Sequence, residues 1–199
     1  MCTQSHMDSS VQALQVRRIA TVSICTSLII AGSYFSVPIP WSPAPISLAS
    51  MFVTLSGLVL GARRGACACL LYLGLGAVGL PVFANATGGI APLLGPTGGF
   101  LLGYPISAFF AGLLFRPTAG HSDEERSRRF FRALAAALVA ALVLYIPGVL
   151  WLMSSLSLSF PAAIAAAVVP FVAGDILKAI AAAATARTLT SAGTLFESR

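Results

Sequence analysis

Charge is what this sequence lacks most. Only 9% of its 199 residues are Asp, Glu, Lys or Arg, 57% are hydrophobic, and the mean hydropathy is +0.90. A soluble domain carries about 25% charged residues. So few ions cannot cover a globular surface, which excludes an ordinary soluble domain and leaves the bilayer to solvate the apolar excess. Histidine is nearly absent: His6 and His121 both lie outside the apolar runs, which disfavours an intramembrane Ser–His protease. Asp175 is the only acid inside an apolar run, so a two-aspartate protease is disfavoured as well. The chain has no nucleotide-binding loop, and if uptake of a ligand is ATP-driven the ATPases are separate chains. The four cysteines, Cys2, Cys25, Cys67 and Cys69, show no metal-like spacing with histidine and read as small apolar residues. No short-period repeat is visible, which argues against a solenoid.

What is present is a series of long apolar runs, at 19–37, 46–62, 66–84, 100–115, 133–153 and 160–186. A span needs roughly 17 to 25 mostly apolar residues. In lipid every backbone polar group needs an internal partner, so only helices or a closed barrel can cross. Barrel strands alternate polar and apolar residues, whereas these runs are continuous. The expected fold is therefore all-α and polytopic, with six transmembrane helices. The breaks are a Pro-rich stretch at 38–45, Arg63-Arg64-Gly65, a Gly/Pro segment at 85–99, a charged loop at 116–132 and a polar turn at 154–159. Residues 1–18 read as a flexible cytoplasmic segment, 19–186 as the membrane domain and 187–199 as a cytoplasmic tail. Arg17 and Arg18 precede the first run and no small-residue cleavage site follows it, so it reads as a span rather than a signal peptide.

Basic residues set the orientation. Arg17 and Arg18, Arg63 and Arg64, Arg116, Arg126, Arg128, Arg129 and Arg132, and Arg187 and Arg199 all fall on one side of a six-span arrangement. Eleven of the twelve Lys and Arg residues thus mark the cytoplasmic side, with both termini on it. The net charge of +6 reflects topology and gives no reason to expect a nucleic-acid partner.

The twelfth basic residue is Lys178, three residues after Asp175 on the same helical face. A charge at the bilayer centre costs roughly 2.5–3.5 kcal/mol on insertion scales, so such residues usually face a protein interior or a watery cavity. The pair reads either as a self-satisfied structural lock or as a polar ligand site. Opposite the basic side lies Gly79-Leu80-Pro81-Val82-Phe83-Ala84-Asn85-Ala86-Thr87-Gly88-Gly89, followed by Leu94-Gly95-Pro96-Thr97-Gly98-Gly99-Phe100. Such a loop can fold back over a cavity and offer uncharged hydrogen bonds from Asn85, Thr97 and backbone amides, or it can be an ordinary turn.

These segments, together with Gly61-Ala62-Arg63-Arg64-Gly65, Tyr72-Leu73, Gly76, Pro170-Phe171, Gly174-Asp175 and Lys178, resemble the BioY family, the biotin-binding substrate component of energy-coupling-factor vitamin transporters. The resemblance runs from about Pro45 to Lys178. It implies a non-enzymatic, six-helix, substrate-binding domain without a cofactor in the bacterial cytoplasmic (inner) membrane. Biotin would be captured from the outer side, between the loop after helix three and helix six. It leaves two alternatives open, work alone or with a coupling membrane subunit and separate ATPase subunits as partners. Asn85, Asp175 and Lys178 match the family's polar ligand contacts. The sequence departs from the family at Ile46-Ser47-Leu48-Ala49, where Ala49 replaces a usual Gln. It departs again on helix one, where Ser23, Ser27 and Ala31 stand in for an Ala-x-x-x-Ala row.

For biotin, Asp175 and Lys178 supply an acceptor and donors to the ureido ring. Tyr34, Trp41, Phe52, Phe83 and Tyr145 are candidate wall aromatics. The ligand carboxylate is left to Thr97, Gly98 and neighbouring backbone amides. A component for a different small vitamin, and a scaffold with a structural Asp–Lys pair, are the alternatives; a channel is disfavoured because one pair makes no ring of charge. One tension is geometric: counted from Phe160, Asp175 lies roughly 22 Å along the last span, past the midplane. A later helix start, a deep cavity or an inward-dipping loop would relieve it.

Overall fold

The computed structural model describes residues 2–40, 42–115 and 122–191. Trp41, Arg116, His121 and Arg199 lie outside the described residues. Eight α-helices are found among those described: α1 (Cys2–Tyr34), α2 (Ala49–Leu60), α3 (Ala62–Ala77), α4 (Ala91–Leu94), α5 (Gly98–Leu114), α6 (Asp123–Leu156), α7 (Phe160–Ala167) and α8 (Val172–Ser191). The all-α expectation holds, with one small addition. Inside the Pro-rich break, β1 (Ser36–Val37) and β2 (Ile46–Ser47) pair antiparallel, with Ser36 opposite Ser47. Of residues 1–18, expected as a flexible cytoplasmic segment, those from Cys2 on are helical and continuous with the first apolar run.

By length and composition, Gln12–Tyr34 and Glu124–Leu156 can each cross a bilayer, while α2 and α5 are shorter apolar helices. The last apolar run is not one helix. It breaks at residues 168–171, around Pro170, and α7 and α8 meet at a bend of 51°. Proline lacks an N–H and clashes with the preceding turn, which ends α7 and lets α8 start afresh at Val172. The charged stretch expected as a loop through residue 132 is helical from Asp123. Ser122 and Glu125 form a reciprocal capping box, and Glu124 pairs with Arg128 one turn on at 2.7 Å. Those local bonds start a helix where hydropathy alone sees a loop.

Small residues let the helices meet closely at one end. A side chain on Gly57 would strike Ala108 of α5, one on Gly65 would strike Gly57, and one on Gly112 would strike the Gly61–Ala62 corner. Around this seam lies an apolar core of Leu55, Leu58, Phe115, Ala133, Ala140, Ala183 and Ala186. Buried hydroxyls add cross-links: Thr26 donates to Ala68 O at 3.1 Å and Ser107 to Ala140 O at 2.9 Å. At this end Arg187 stacks over Phe130 of α6, the helix whose first turns also carry Arg126, Arg128 and Arg132. The opposite end carries the loops. There Ser33 donates to Val82 O at 2.5 Å, Tyr34 to Pro81 O at 2.5 Å, and Trp151 to Gly95 O at 3.0 Å. The bundle is thus basic and tightly closed at one end, and loop-covered at the other.

Candidate binding cavity

At the loop end lies a partly open cavity of about 380 Å³, within the range of small-ligand sites. Its floor is the charged pair. Lys178 Nζ donates to Asp175 Oδ1 at 3.0 Å and to Ser50 Oγ at 3.2 Å, and Tyr145 Oη donates to Asp175 Oδ2 at 2.5 Å. Three helices meet in this chain of bonds: α6 through Tyr145, α8 through Asp175 and Lys178, and α2 through Ser50. The Lys178 and Asp175 side chains are 11% and 18% exposed. A second void of about 20 Å³ lies beyond them, lined by Ser50, Thr54, Ala137 and Ala179 among others. The pair therefore forms a partition between the cavity and the apolar core.

The break in the last run explains how Asp175 reaches the cavity. It sits in the first turn of α8, where the helix dipole favours a negative charge. The last run does begin helical at Phe160, but its second helix starts afresh at Val172, so the distance counted along a single straight helix does not apply to Asp175.

The walls are apolar and aromatic: Tyr72, Phe83, Phe100, Tyr104 and Phe171 all line the space. Phe83 is the loop's anchor. It is 1% exposed, stands edge-on to Tyr72 with centroids 5.3 Å apart, and fills the gap over Gly76 that a larger residue would occupy. Two residues later the backbone turns left-handed at Asn85 (φ 57°) and Ala86 (φ 55°), a region that asparagine tolerates better than most residues. Ser36 Oγ donates to Asn85 Oδ1 at 3.2 Å and accepts from Asn85 N–H at 3.3 Å. Asn85 is held at the exposed rim by these two bonds.

Of the residues singled out in the sequence, Asn85, Thr97, Tyr145, Asp175 and Lys178 all border the cavity, as does Phe83. Thr97 precedes α5 and its hydroxyl makes no capping bond. Gly98 is not among the lining residues. Its N–H is taken by Gly95 O at 2.9 Å, and it packs against Leu93 and Trp151. Tyr34 is 51% exposed and bonds to Pro81, and Phe52 packs into the helix cores; neither lines the cavity. Trp41 lies outside the described residues. Ser50, Ser33, Tyr72 and Tyr104 were not legible as site residues. Ser50 stands one place after Ala49, where the family pattern had already drawn attention.

A helical membrane fold with a mostly apolar cavity, open at the loop end and floored by a partly buried acid–base pair, defines a membrane binding protein. A profile of the BioY family matches residues 5–194, and the chain belongs to that family. The "Probable biotin transporter BioY" of Pyrococcus horikoshii is 38% identical over 169 residues, covering 85% of this chain and 93% of the relative. The "Biotin transporter BioY" of Thermotoga maritima is 38% identical over 168 residues, covering 84% and 92%. The fold is similar to a crystal structure described as the S-component for biotin from an ECF-type ABC transporter. The TM-score is 0.76 at 25% identity, over 88% of this chain and 91% of that one. These relatives are transporters rather than enzymes, in agreement with the sequence reading.

Proposed function

We propose that this protein captures biotin within the cytoplasmic membrane as the substrate component of a vitamin transporter. The observation that carries the reading is the acid–base pair on the floor of an otherwise uncharged, aromatic-walled cavity. A cyclic urea sets N–H donors beside a C=O acceptor. Asp175 and Lys178 offer the complementary acceptor and donor, with Tyr145 and Ser50 fixing their geometry. Asn85 and Thr97 serve the other end of the ligand at the rim.

Six spans are counted as α1, α2, α3, α5, α6 and the bent pair α7 with α8. The basic residues mark the cytoplasmic side, and the cavity opens outward. The relationship to an ECF-type component supports a coupling membrane subunit and separate ATPases as partners. Ser23, Ser27 and Ala31 form an exposed row of small residues on α1 that permits close approach of another helix.

The test is calorimetric titration of the purified protein with biotin. Saturable, tight, one-to-one binding is expected. Binding of another vitamin in its place would replace the ligand and keep the class. Binding of none would favour the second reading, in which the pair is a structural lock. That reading draws on the fact that both Asp175 oxygens already have partners.

A further inference from the structure

The cavity contains one cation and one anion, and they are bonded to each other. Its other polar lining groups are hydroxyls, an amide and backbone. The sequence has no Lys or Arg at residues 19–62, 65–115 or 133–177, so no second cation is available from the neighbouring segments. Biotin carries a carboxylate at the end of its acyl chain. A desolvated carboxylate needs a cation not already committed elsewhere. Lys178 is committed: an anion approaching it also meets Asp175, so the pair has no net charge to offer. A urea ring has no such conflict with an acid beside a base. The ring therefore belongs on the floor and the chain points to the rim.

At the rim the donors are neutral. The Asn85 side chain is exposed, and its amide nitrogen has no hydrogen bond among the described residues. The Thr97 hydroxyl is not used in capping. Asn85 is exposed and Thr97 only partly covered, so water screens a carboxylate at the rim, and neutral donors there prefer it to an amide or ester carbonyl by about 1 kcal/mol or less, under about tenfold. The start of α5 at Thr97 adds a preference for an anion of only a few-fold. We propose that the site selects the cyclic-urea ring and is nearly indifferent to the charge of the tail, so that biotin amides and esters are also ligands of this protein. The proposal rests on the biotin reading above.

The experiment compares biotin, biotin carboxamide, biotin methyl ester and the ring-opened diamine of biotin, by calorimetry on the full chain in detergent. The amide and ester are expected to bind within about tenfold of biotin, and the diamine at least about a hundredfold more weakly. Tight binding of biotin with at least a hundredfold loss for both neutral derivatives would overturn the proposal and place the carboxylate on a cation. Failure of biotin itself to bind is a different result, and it would remove the biotin reading together with this one. Lys178→Met gives a second readout. It should weaken biotin and biotin carboxamide by the same factor, whereas a loss confined to biotin would show that Lys178 holds the carboxylate.

Discussion

Tyr145 and Asp175, thirty residues apart in the chain, are joined by a hydrogen bond of 2.5 Å between the middle of α6 and the first turn of α8. The bond fixes the rotamer of the only acid in the cavity. Tyr145→Phe keeps the ring and removes the donor. Hydrogen bonds to charged groups contribute about 1.5–3 kcal/mol to stability, so the melting temperature should fall, and biotin affinity should fall with it because Asp175 loses its fixed rotamer. Unchanged affinity would show that Asp175 needs no support from α6.

Removing half of the floor pair is expected to cost stability as well as binding. Asp175→Ala leaves Lys178 shielded without its counter-ion, an arrangement that costs about 3–5 kcal/mol. Asp175→Ala combined with Lys178→Ala should be more stable than Asp175→Ala alone, yet neither protein should bind biotin. Denaturation in detergent and calorimetry read the two effects separately. A double variant destabilised by the sum of the two single losses would show that the residues are not coupled.

The floor was legible in the sequence because charge inside an apolar run is conspicuous. Asp175 and Lys178 needed no structure to be noticed. Ser50 and Tyr104 did, since a hydroxyl in an apolar helix looks the same whether it faces lipid, backbone or ligand. The break at residues 168–171 was hidden for a related reason: Val168, Val169 and Phe171 keep hydropathy high while Pro170 interrupts the helix. The capping box at Ser122 and Glu125 was visible as a pattern, but the surrounding charges made the stretch read as a loop. Six apolar runs and their basic flanks located the bundle; which faces met depended on glycine contacts such as Gly57 on Ala108.

Asn85 combines a left-handed backbone with a side chain at the rim, and substitution can separate the two. Asn85→Gly retains access to positive φ but removes the amide. The loop should keep its fold while biotin binds about tenfold more weakly. Asn85→Val adds backbone strain of about 1–3 kcal/mol and should also loosen the loop, which limited proteolysis would detect. Equal proteolysis of the two variants would argue against that strain.

Gly76 gives Phe83 its slot. Gly76→Ala places a methyl group where the ring now lies, a form of overpacking that typically costs about 1–3 kcal/mol. Biotin should dissociate faster from this variant, measured by exchange of labelled ligand, with secondary structure retained. A wild-type dissociation rate would mean that Phe83 does not hold the loop over the ligand.

The orientation can be tested by labelling in a variant lacking the four native cysteines. Ile90→Cys lies on the exposed loop and Arg63→Cys at the α2–α3 corner. A membrane-impermeant maleimide on intact cells should label the first but not the second until the cells are opened. The reverse pattern would invert the topology and place the cavity on the cytoplasmic side.

Helix α6 also acts as a ruler. Its 34 residues extend about 50 Å at 1.5 Å per residue, well beyond a hydrocarbon core of about 30 Å. The surplus is the capped first turns, where exposed Arg126, Arg128 and Arg132 stand at the depth of the lipid phosphates in the proposed orientation. Anionic headgroups attract unpaired basic residues by about 1 kcal/mol each, less for Arg128, which already pairs with Glu124. In that orientation the helix that carries Tyr145 to the cavity would set how deeply the protein sits, and would tie the height of the cavity to the thickness and headgroup charge of the bilayer around it.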